Sequence, residues 1–285
     1  MLFYCPAKIN LFLKITGKNA DGYHNLESLL AFLDLADLLK IEKSNKFKLE
    51  IDGEFADLID QKNNILSEIL DFFVSNFNVT KNLDIKLTKN IPVAAGLGGG
   101  SSDAAYFIHA LNKIFSLNLH VKELQKISLN FGSDIAFLLQ NKAAIIKGRG
   151  DEIIEFADFK PISALLINPK IALSTKEVFQ KFSDNFYDNF SGEIAVEELI
   201  KKDVFDLLKD LQNDLEKPAK AILPIISEIL DYLKNSHAII AKMSGSGASC
   251  FAIFADDKNL EFAAKNFIKK FPHFFVKKVR ILSHV

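Results

Sequence analysis

Apolar and polar residues alternate in two segments of the N-terminal half. Every odd-numbered position from Ala7 to Ile15 is apolar, and most of the intervening positions are polar. A second alternation runs from Leu83 to Thr88. A period of two is typical of a strand that buries one face. Both segments are therefore predicted to be β-strands.

Other segments place apolar residues at the three- and four-residue spacing of an amphipathic helix. The first predicted helix begins after Asn64, whose side chain suits the N-cap position. A short apolar helix is predicted after Asp134, with Asp134 as its N-cap. The remaining predicted helices are one that follows Ser101, residues 121–131 up to Gly132, and residues 219–233.

The C-terminal half begins with a predicted hairpin over residues 143–156 that turns at Gly148-Arg149-Gly150. Strands are predicted for residues 164–167, 238–243, 250–254 and 276–282. Helices and hairpins are mixed without a strict βαβ alternation, which predicts an α+β fold with mostly antiparallel sheets. The predicted hairpin ends near residue 157, and a new series of strands and helices begins after it. Two domains are therefore predicted, residues 1–157 and 158–285.

Composition narrows the class of protein. The 285 residues are 49% hydrophobic, enough for two moderate cores, and the formal net charge of -1 argues against a nucleic-acid partner. The chain has no apolar run near the length of a membrane helix and no basic region before its first apolar segment, so neither a membrane partner nor a signal peptide is expected. Cys5 and Cys250 lie in apolar stretches and are interpreted as reduced core residues of a cytoplasmic protein.

A glycine-rich segment is the strongest functional signal. It reads Pro92-Val93-Ala94-Ala95-Gly96-Leu97-Gly98-Gly99-Gly100-Ser101-Ser102 and leads directly into a predicted helix. Glycine lets a ligand approach the backbone, and a helix start offers free amides and a positive dipole end to phosphate oxygens. Neither the Walker pattern nor the GxGxxG pattern is present. The alternative is a glycine-rich turn used for tight packing.

A second Gly/Ser loop, Ser244 to Ser249, lies between two predicted strands. It is either a flexible hairpin or a second backbone wall around an anionic ligand. Asp134 is either a simple N-cap or a fixed carboxylate that can accept a proton from a hydroxyl. Lys8 is either a solvated strand lysine or a cation that neutralises phosphoryl charge.

Tyr23 and His24 follow a turn at Asp21-Gly22. They are either structural or able to stack on and hydrogen-bond a nucleobase. The sequence contains no HxxxH or CxxC pattern, so it offers no obvious metal cluster.

Several segments in one order carry a family resemblance. They are Pro6–Leu11 (PAKINL), Asp21–His24 (DGYH), Pro92–Ala105, Gly132–Asp134, Gly148–Gly150 and Gly245–Phe251. The chain resembles the superfamily of galactokinase, homoserine kinase, mevalonate kinase and phosphomevalonate kinase. Within it, the PAKINL and DGYH segments resemble the 4-diphosphocytidyl-2-C-methyl-D-erythritol kinase family.

The resemblance implies a fold and a reaction. The N-terminal domain would be like the second domain of ribosomal protein S5 and bind ATP. The C-terminal domain would be ferredoxin-like, with the active site in the cleft between the two. ATP, with Mg²⁺, would phosphorylate the 2-hydroxyl of 4-diphosphocytidyl-2-C-methyl-D-erythritol, a small-molecule cytidine diphosphate compound of the non-mevalonate isoprenoid route.

The resemblance also implies residue roles. Asp134 would be the general base, with Lys8 as its partner cation, and residues 92–102 would bind the ATP phosphates. Asn64 would border the adenine, and Ser102 is the one candidate protein ligand for the metal. The residues implied to contact substrate are Asn10, Tyr23, His24, Thr175 and Phe179, with Tyr23 and His24 around the cytosine.

One departure and two alternatives accompany this interpretation. The family pattern GADVP around the base reads GSDIA here, with Ser133 and Ala136 as the altered positions. The alternatives are a kinase of the same superfamily for another small alcohol and a catalytically silent nucleotide-binding protein. A monomer or a weak homodimer is expected.

Overall fold

The computed structural model describes residues 1–60, 63–186 and 193–285. The strands in these ranges are β1 (Leu2–Lys18), β2 (His24–Lys43), β3 (Lys48–Asp52), β4 (Leu83–Thr88), β5 (Ala144–Gly148), β6 (Glu152–Glu155), β7 (Ile162–Asn168), β8 (Ile240–Met243), β9 (Cys250–Ile253) and β10 (Phe275–Leu282). The helices are α1 (Ile65–Phe77), α2 (Gly99–Ile114), α3 (Val121–Ser128), α4 (Ser133–Leu138), α5 (Thr175–Phe186), α6 (Val196–Leu199), α7 (Val204–Asp210), α8 (Glu216–Ile222), α9 (Ile225–Asn235) and α10 (Asp257–Lys270). None of the helices in these ranges is long and apolar enough to cross a bilayer.

The chain divides into two compact units. Unit 1 comprises residues 1–8, 35–93 and 98–141, and unit 2 comprises residues 9–34, 94–97 and 142–285. This division differs from the predicted one at residue 157, because residues 26–30 of β2 pair with β5 and residues 32–33 pair with β10. The boundary of the two domains at residue 157 stays a prediction.

Unit 1 combines a small sheet with helices α1 to α4. β4 lies between β3, to which it is parallel, and β2, to which it is antiparallel. Alternate residues of β4 are buried, as the period of two predicts. α1 buries Leu66, Ile69, Leu70 and Phe73 on one face and contacts α2, which also contacts α3 and α4. The α1 pattern is the one-face spacing of an amphipathic helix.

Unit 2 is built mostly on antiparallel strand pairs. β10 lies between β2 and β7, followed by β9 and β8, and the β5–β6 hairpin joins β2 through β5. α9 contacts β8 and β9, and α10 contacts β7 and β10. Their apolar faces form one core that includes Leu165, Ile229, Cys250 and Phe267. The predicted α+β class with mostly antiparallel pairing is confirmed.

Some predicted element bounds were wrong. α3 ends at Ser128, three residues before Phe131, and α2 begins two residues earlier than Ser101. The predicted helix over 219–233 is two helices, since Pro224 stands between α8 and α9 and cannot continue a helix interior. β2, with 20 residues the longest strand, was not predicted.

Candidate active site

The glycine-rich segment ends in the N-terminus of α2. Gly98 is the N-cap, with a left-handed φ of 64°, and no side chain of the described residues caps this end of the helix. The amides of the first turn have no partner within the helix, so they remain available to an anionic ligand. The predicted helix start and its free amides are therefore present.

Two glycines of this segment leave no room for a side chain. A methyl group at position 98 would lie 2.7 Å from Cγ of Lys8, within unit 1. A methyl group at position 96 would lie 2.4 Å from the carbonyl oxygen of Ser244, within unit 2. Both glycines have positive φ, which other residues adopt at a cost. The close approach of the backbone to Lys8 and to Ser244 therefore requires glycine at both positions.

The second Gly/Ser loop braces the first half of the glycine-rich segment inside unit 2. The Ser244 hydroxyl donates to the carbonyl of Gly96 at 3.0 Å and accepts from the amide of Asn10 at 3.2 Å. The Ser249 amide donates to the carbonyl of Ala95 at 3.2 Å. The loop is thus held against residues 94–97 by hydrogen bonds, and its contact with an anionic ligand stays a prediction.

Lys8 and Asp134 meet within unit 1. Lys8 Nζ lies 3.4 Å from Asp134 Oδ2, and the side chains are 7% and 39% exposed. Asp134 is the second residue of α4, and Gly132 is the N-cap, so the prediction of Asp134 as N-cap was wrong. The altered position Ser133 begins the helix and does not break it. A carboxylate in a first helical turn is held close to the free amides and the positive end of the helix.

Several predicted substrate contacts cluster in unit 2. The His24 ring centroid lies 5.3 Å from that of Phe179, and His24 Nε2 lies 2.9 Å from the hydroxyl of Ser183. Burial lowers the pKa of His24, and the charge of Lys18 adds to this effect. The shift favours the neutral imidazole, in which one ring nitrogen donates and the other accepts.

Three other predicted residues have clear structural partners. Thr175 Oγ1 lies 2.8 Å from the hydroxyl of Ser246 in the second loop. Asn10 is buried, and its amide nitrogen donates to the hydroxyl of Ser28 at 2.8 Å. Asn64 caps α1 by accepting from the amide of Leu66 at 2.9 Å, as predicted. Their contacts to ligands stay predictions.

Ser102 offers a polar atom without a protein partner. Its Oγ is fully buried and accepts or donates no hydrogen bond within the described part of the chain. A buried hydroxyl without a partner is costly, and a ligand atom would satisfy it. This fits the prediction of Ser102 as a metal contact. The described residues contain no group of three or more His, Cys, Asp or Glu side chains that could hold a metal.

A buried charge cluster in unit 1 was missed from the sequence. Lys89 Nζ contacts Asp37 Oδ2 and lies 2.5 Å from Asp103 Oδ2, and all three side chains are at most 3% exposed. Asp37 Oδ1 also accepts from the amides of Asn90 and Ile91. Because Asp103 belongs to α2, the cluster ties that helix to the chain just before Pro92.

Burial and charge act in opposite directions on the pKa values of Asp103 and Lys89. Burial raises the pKa of Asp103 well above its ordinary value, against the opposing charge of Lys89. Burial also disfavours the charge on Lys89, but the Asp103 and Asp37 carboxyl groups outweigh it and raise the pKa of Lys89. Lys89 and Asp103 flank the glycine-rich segment, but Asp37 lies far from it in β2, so the sequence contained no signal for the whole cluster.

Known proteins match the chain over nearly its full length. The GHMP kinase N-terminal domain profile matches residues 64–142, and the GHMP kinase C-terminal profile matches residues 195–273. The 4-diphosphocytidyl-2-C-methyl-D-erythritol kinase of Anaplasma phagocytophilum (strain HZ) is 36% identical over 97% of this chain and 93% of its own length. The chain belongs to the 4-diphosphocytidyl-2-C-methyl-D-erythritol kinase family.

Other members and solved structures agree with this membership. The kinase of the same name from Agrobacterium fabrum is 34% identical over 97% of this chain and 95% of its own length. A crystal structure of a 4-(cytidine 5'-diphospho)-2C-methyl-D-erythritol kinase matches with a TM-score of 0.80 and 26% identity, over 98% of this chain and 99% of that one. The homoserine kinase of Cytophaga hutchinsonii, at 16% identity and a TM-score of 0.70 over 99% and 95%, shares the fold.

Gly98→Ala tests the contact between the glycine-rich segment and Lys8 in this kinase. The left-handed backbone costs alanine about 1–2 kcal/mol. The new methyl group must also displace the Lys8 stem, and a shift of about 1 Å in a reacting group costs about 10²-fold in rate. We expect kcat to fall by about that factor, measured by ADP release.

Gly100→Ala is the matched control for stability. Position 100 lies inside α2 and a methyl group there meets nothing within 4 Å. Alanine is about 0.5–1 kcal/mol better than glycine inside a helix, so the free energy of unfolding is expected to stay equal or rise. Equal stability and equal kcat for Gly98→Ala and wild type would contradict the predicted clash.

Proposed function

We propose that this protein transfers the γ-phosphoryl group of ATP to the 2-hydroxyl of 4-diphosphocytidyl-2-C-methyl-D-erythritol, a step of non-mevalonate isoprenoid precursor synthesis. One observation carries the proposal: Lys8 lies beside both groups that phosphoryl transfer is proposed to need, the backbone at the start of α2 and the Asp134 carboxylate. Its stem packs on the backbone at Gly98, and its ammonium lies 3.4 Å from the Asp134 carboxylate. The proposed phosphate site and the proposed proton acceptor thus share one cation, Lys8, within unit 1.

The proposed chemistry assigns each group a step. Asp134 takes the proton from the substrate hydroxyl, whose oxygen forms the new bond to the γ-phosphorus as the bond to ADP breaks. Lys8 and the free amides at the start of α2 stabilise the charge on the transferred oxygens. Mg²⁺, when bound, neutralises charge on the ATP phosphates, and Ser102 is the residue proposed to contact it.

The cytidine end of the substrate is proposed to lie against the unit 2 cluster. Tyr23 and Phe179 offer aromatic faces for the base, and His24, whose Nε2 contacts the Ser183 hydroxyl, offers its other ring nitrogen, Nδ1, for a hydrogen bond to the edge of the base. Asn10 and Thr175 complete the proposed substrate contacts. A cytoplasmic location is part of the proposal, supported by Cys5 and Cys250 being buried free thiols.

A substrate panel tests the proposed function. The protein with Mg-ATP should form ADP with 4-diphosphocytidyl-2-C-methyl-D-erythritol and not with mevalonate or homoserine. Cytidine 5'-diphosphate should compete with the true substrate, because the base supplies part of the binding. Turnover of another alcohol without competition by millimolar cytidine 5'-diphosphate would favour a different kinase of the superfamily. ATP binding without phosphoryl transfer to any alcohol would favour a silent nucleotide-binding protein.

A further inference from the structure

The chain uses arginine at only two positions, Arg149 and Arg280, among 35 basic residues. Lysine serves at every other basic position. A guanidinium differs from an ammonium in being planar, in stacking on aromatic rings, and in donating from a fixed fork. Arg149 stacks its planar group on an aromatic ring and donates from one nitrogen of the fork.

Arg149 contacts the turn before β2 in two ways, both inside unit 2. Its Cζ lies 4.0 Å from the centroid of the Tyr23 ring, and its Nη1 donates to Asp21 Oδ2 at 2.8 Å. The other oxygen of Asp21 accepts from the backbone amide of Tyr23 at 3.2 Å. One carboxylate therefore links the guanidinium to the backbone of the residue on which it stacks.

The turns on both sides of this contact are well defined. The Arg149 amide donates to Asp151 Oδ1 at 2.9 Å, and a methyl group at position 148 would lie 2.8 Å from that same oxygen. On the other side, the Asn19 amide donates to the carbonyl of Tyr23 at 2.7 Å. The hairpin between β5 and β6 thus presents Arg149 to a turn that is itself closed by hydrogen bonds.

Tyr23 is 62% exposed even though the guanidinium lies over one face of its ring. The exposed area must therefore come from the opposite face and the edge. A ring that is held on one face and open on the other is suited to stacking on a ligand. Its side chain is already immobilised, so binding loses less conformational entropy.

We propose that Arg149 is a positioning residue that fixes the Tyr23 ring for stacking on the pyrimidine of the cytidine substrate. This inference rests on the proposed function and adds a residue of the β5–β6 hairpin to substrate selection. Arg149 acts through Tyr23, so its loss affects binding of the cytidine compound and neither ATP binding nor the chemical step.

Arg149→Lys and Arg149→Met test the proposal by steady-state kinetics. Immobilising one side chain accounts for about a three- to tenfold change in affinity, so KM for the diphosphocytidyl substrate should rise by about that factor in both variants. KM for ATP and kcat should stay within about twofold. Arg149→Lys keeps the charge but loses the planar stack, so it should not restore the wild-type KM.

Arg280→Lys is the matched control, since Arg280 is the other arginine and forms an exposed ion pair with Asp34. It should leave both KM values unchanged. A double-mutant cycle of Arg149→Met with Tyr23→Leu should be non-additive in KM, because either change alone removes the stacked pair. Additive effects, or a lysine variant equal to wild type, would overturn the proposal.

Calorimetric binding of cytidine 5'-diphosphate gives a readout apart from turnover. Its Kd should weaken in Arg149→Met by about the same factor as KM. An unchanged Kd, with an active wild-type enzyme, would overturn the role of Arg149 alone. A wild-type protein that neither turns over the diphosphocytidyl compound nor binds cytidine 5'-diphosphate would overturn the proposed function, and the role of Arg149 with it.

Discussion

Replacing Asp134 by asparagine is expected to lower kcat by about 10²–10⁴-fold, the range that one general base contributes. Asparagine has nearly the same shape but cannot take the proton of the substrate hydroxyl. Lys8, which is 7% exposed, loses the carboxylate 3.4 Å from its ammonium, so the free energy of unfolding is expected to fall as well. The amide oxygen of asparagine can still accept a hydrogen bond from Lys8, so KM for both substrates should change less than kcat.

Steady-state kinetics of ADP release would measure this loss. Asp71→Asn provides a matched control, because Asp71 is also a carboxylate of unit 1 that pairs with a lysine, Lys81, and both side chains are at least half exposed. It should keep wild-type kcat. An Asp134→Asn enzyme with kcat within tenfold of wild type would show that another group accepts the proton.

Lys89→Met is expected to cost about 3–5 kcal/mol of unfolding free energy, the loss found when one partner of a buried ion pair is removed. Methionine fills most of the volume of the lysine stem. The Asp37 and Asp103 carboxyl groups would then face each other in the core without a cation, and they are at most 3% exposed. Activity at low temperature should also fall, because the cluster fixes the chain just before Pro92.

Urea unfolding would measure the loss of stability. Lys48→Met is the control, since Lys48 forms an exposed ion pair with Glu50 and such pairs contribute about 0–1 kcal/mol. Combining Lys89→Met with Asp103→Asn should recover part of the loss, because one of the two carboxyl groups is then absent. A cost for Lys89→Met as small as that for Lys48→Met would mean that water reaches the cluster.

Local patterns predicted the parts of the fold that local forces determine. β4 and the hairpin of β5 and β6 followed from alternation and turn residues, and α1 followed from its cap at Asn64 and its apolar stripe. The same local chemistry identified the free amides at the start of α2. The pairing of Lys8 with Asp134 needed the family resemblance, because 126 positions separate the two residues.

Tertiary contacts decided the rest. β2 was missed because residues 27–33 are buried on both faces and therefore show no alternation. The Asp37, Lys89 and Asp103 cluster was missed because each residue alone is an ordinary polar position of a strand or helix. Arg149 was placed in the predicted turn, but its stacking on Tyr23 depends on the pairing of β2 with β5.

The position of β10 in unit 2 bears on how the protein is made in the cell. β10 pairs with both β2 and β7, and it is synthesised after both of them. During translation, residues 162–168 of β7 and residues 32–33 of β2 lack this partner until residues 275–282 leave the ribosome. Open edges of apolar strands invite pairing with other chains. The nascent chain is therefore vulnerable to aggregation until β10 has been synthesised, and a chaperone that covers β7 would protect it during that interval.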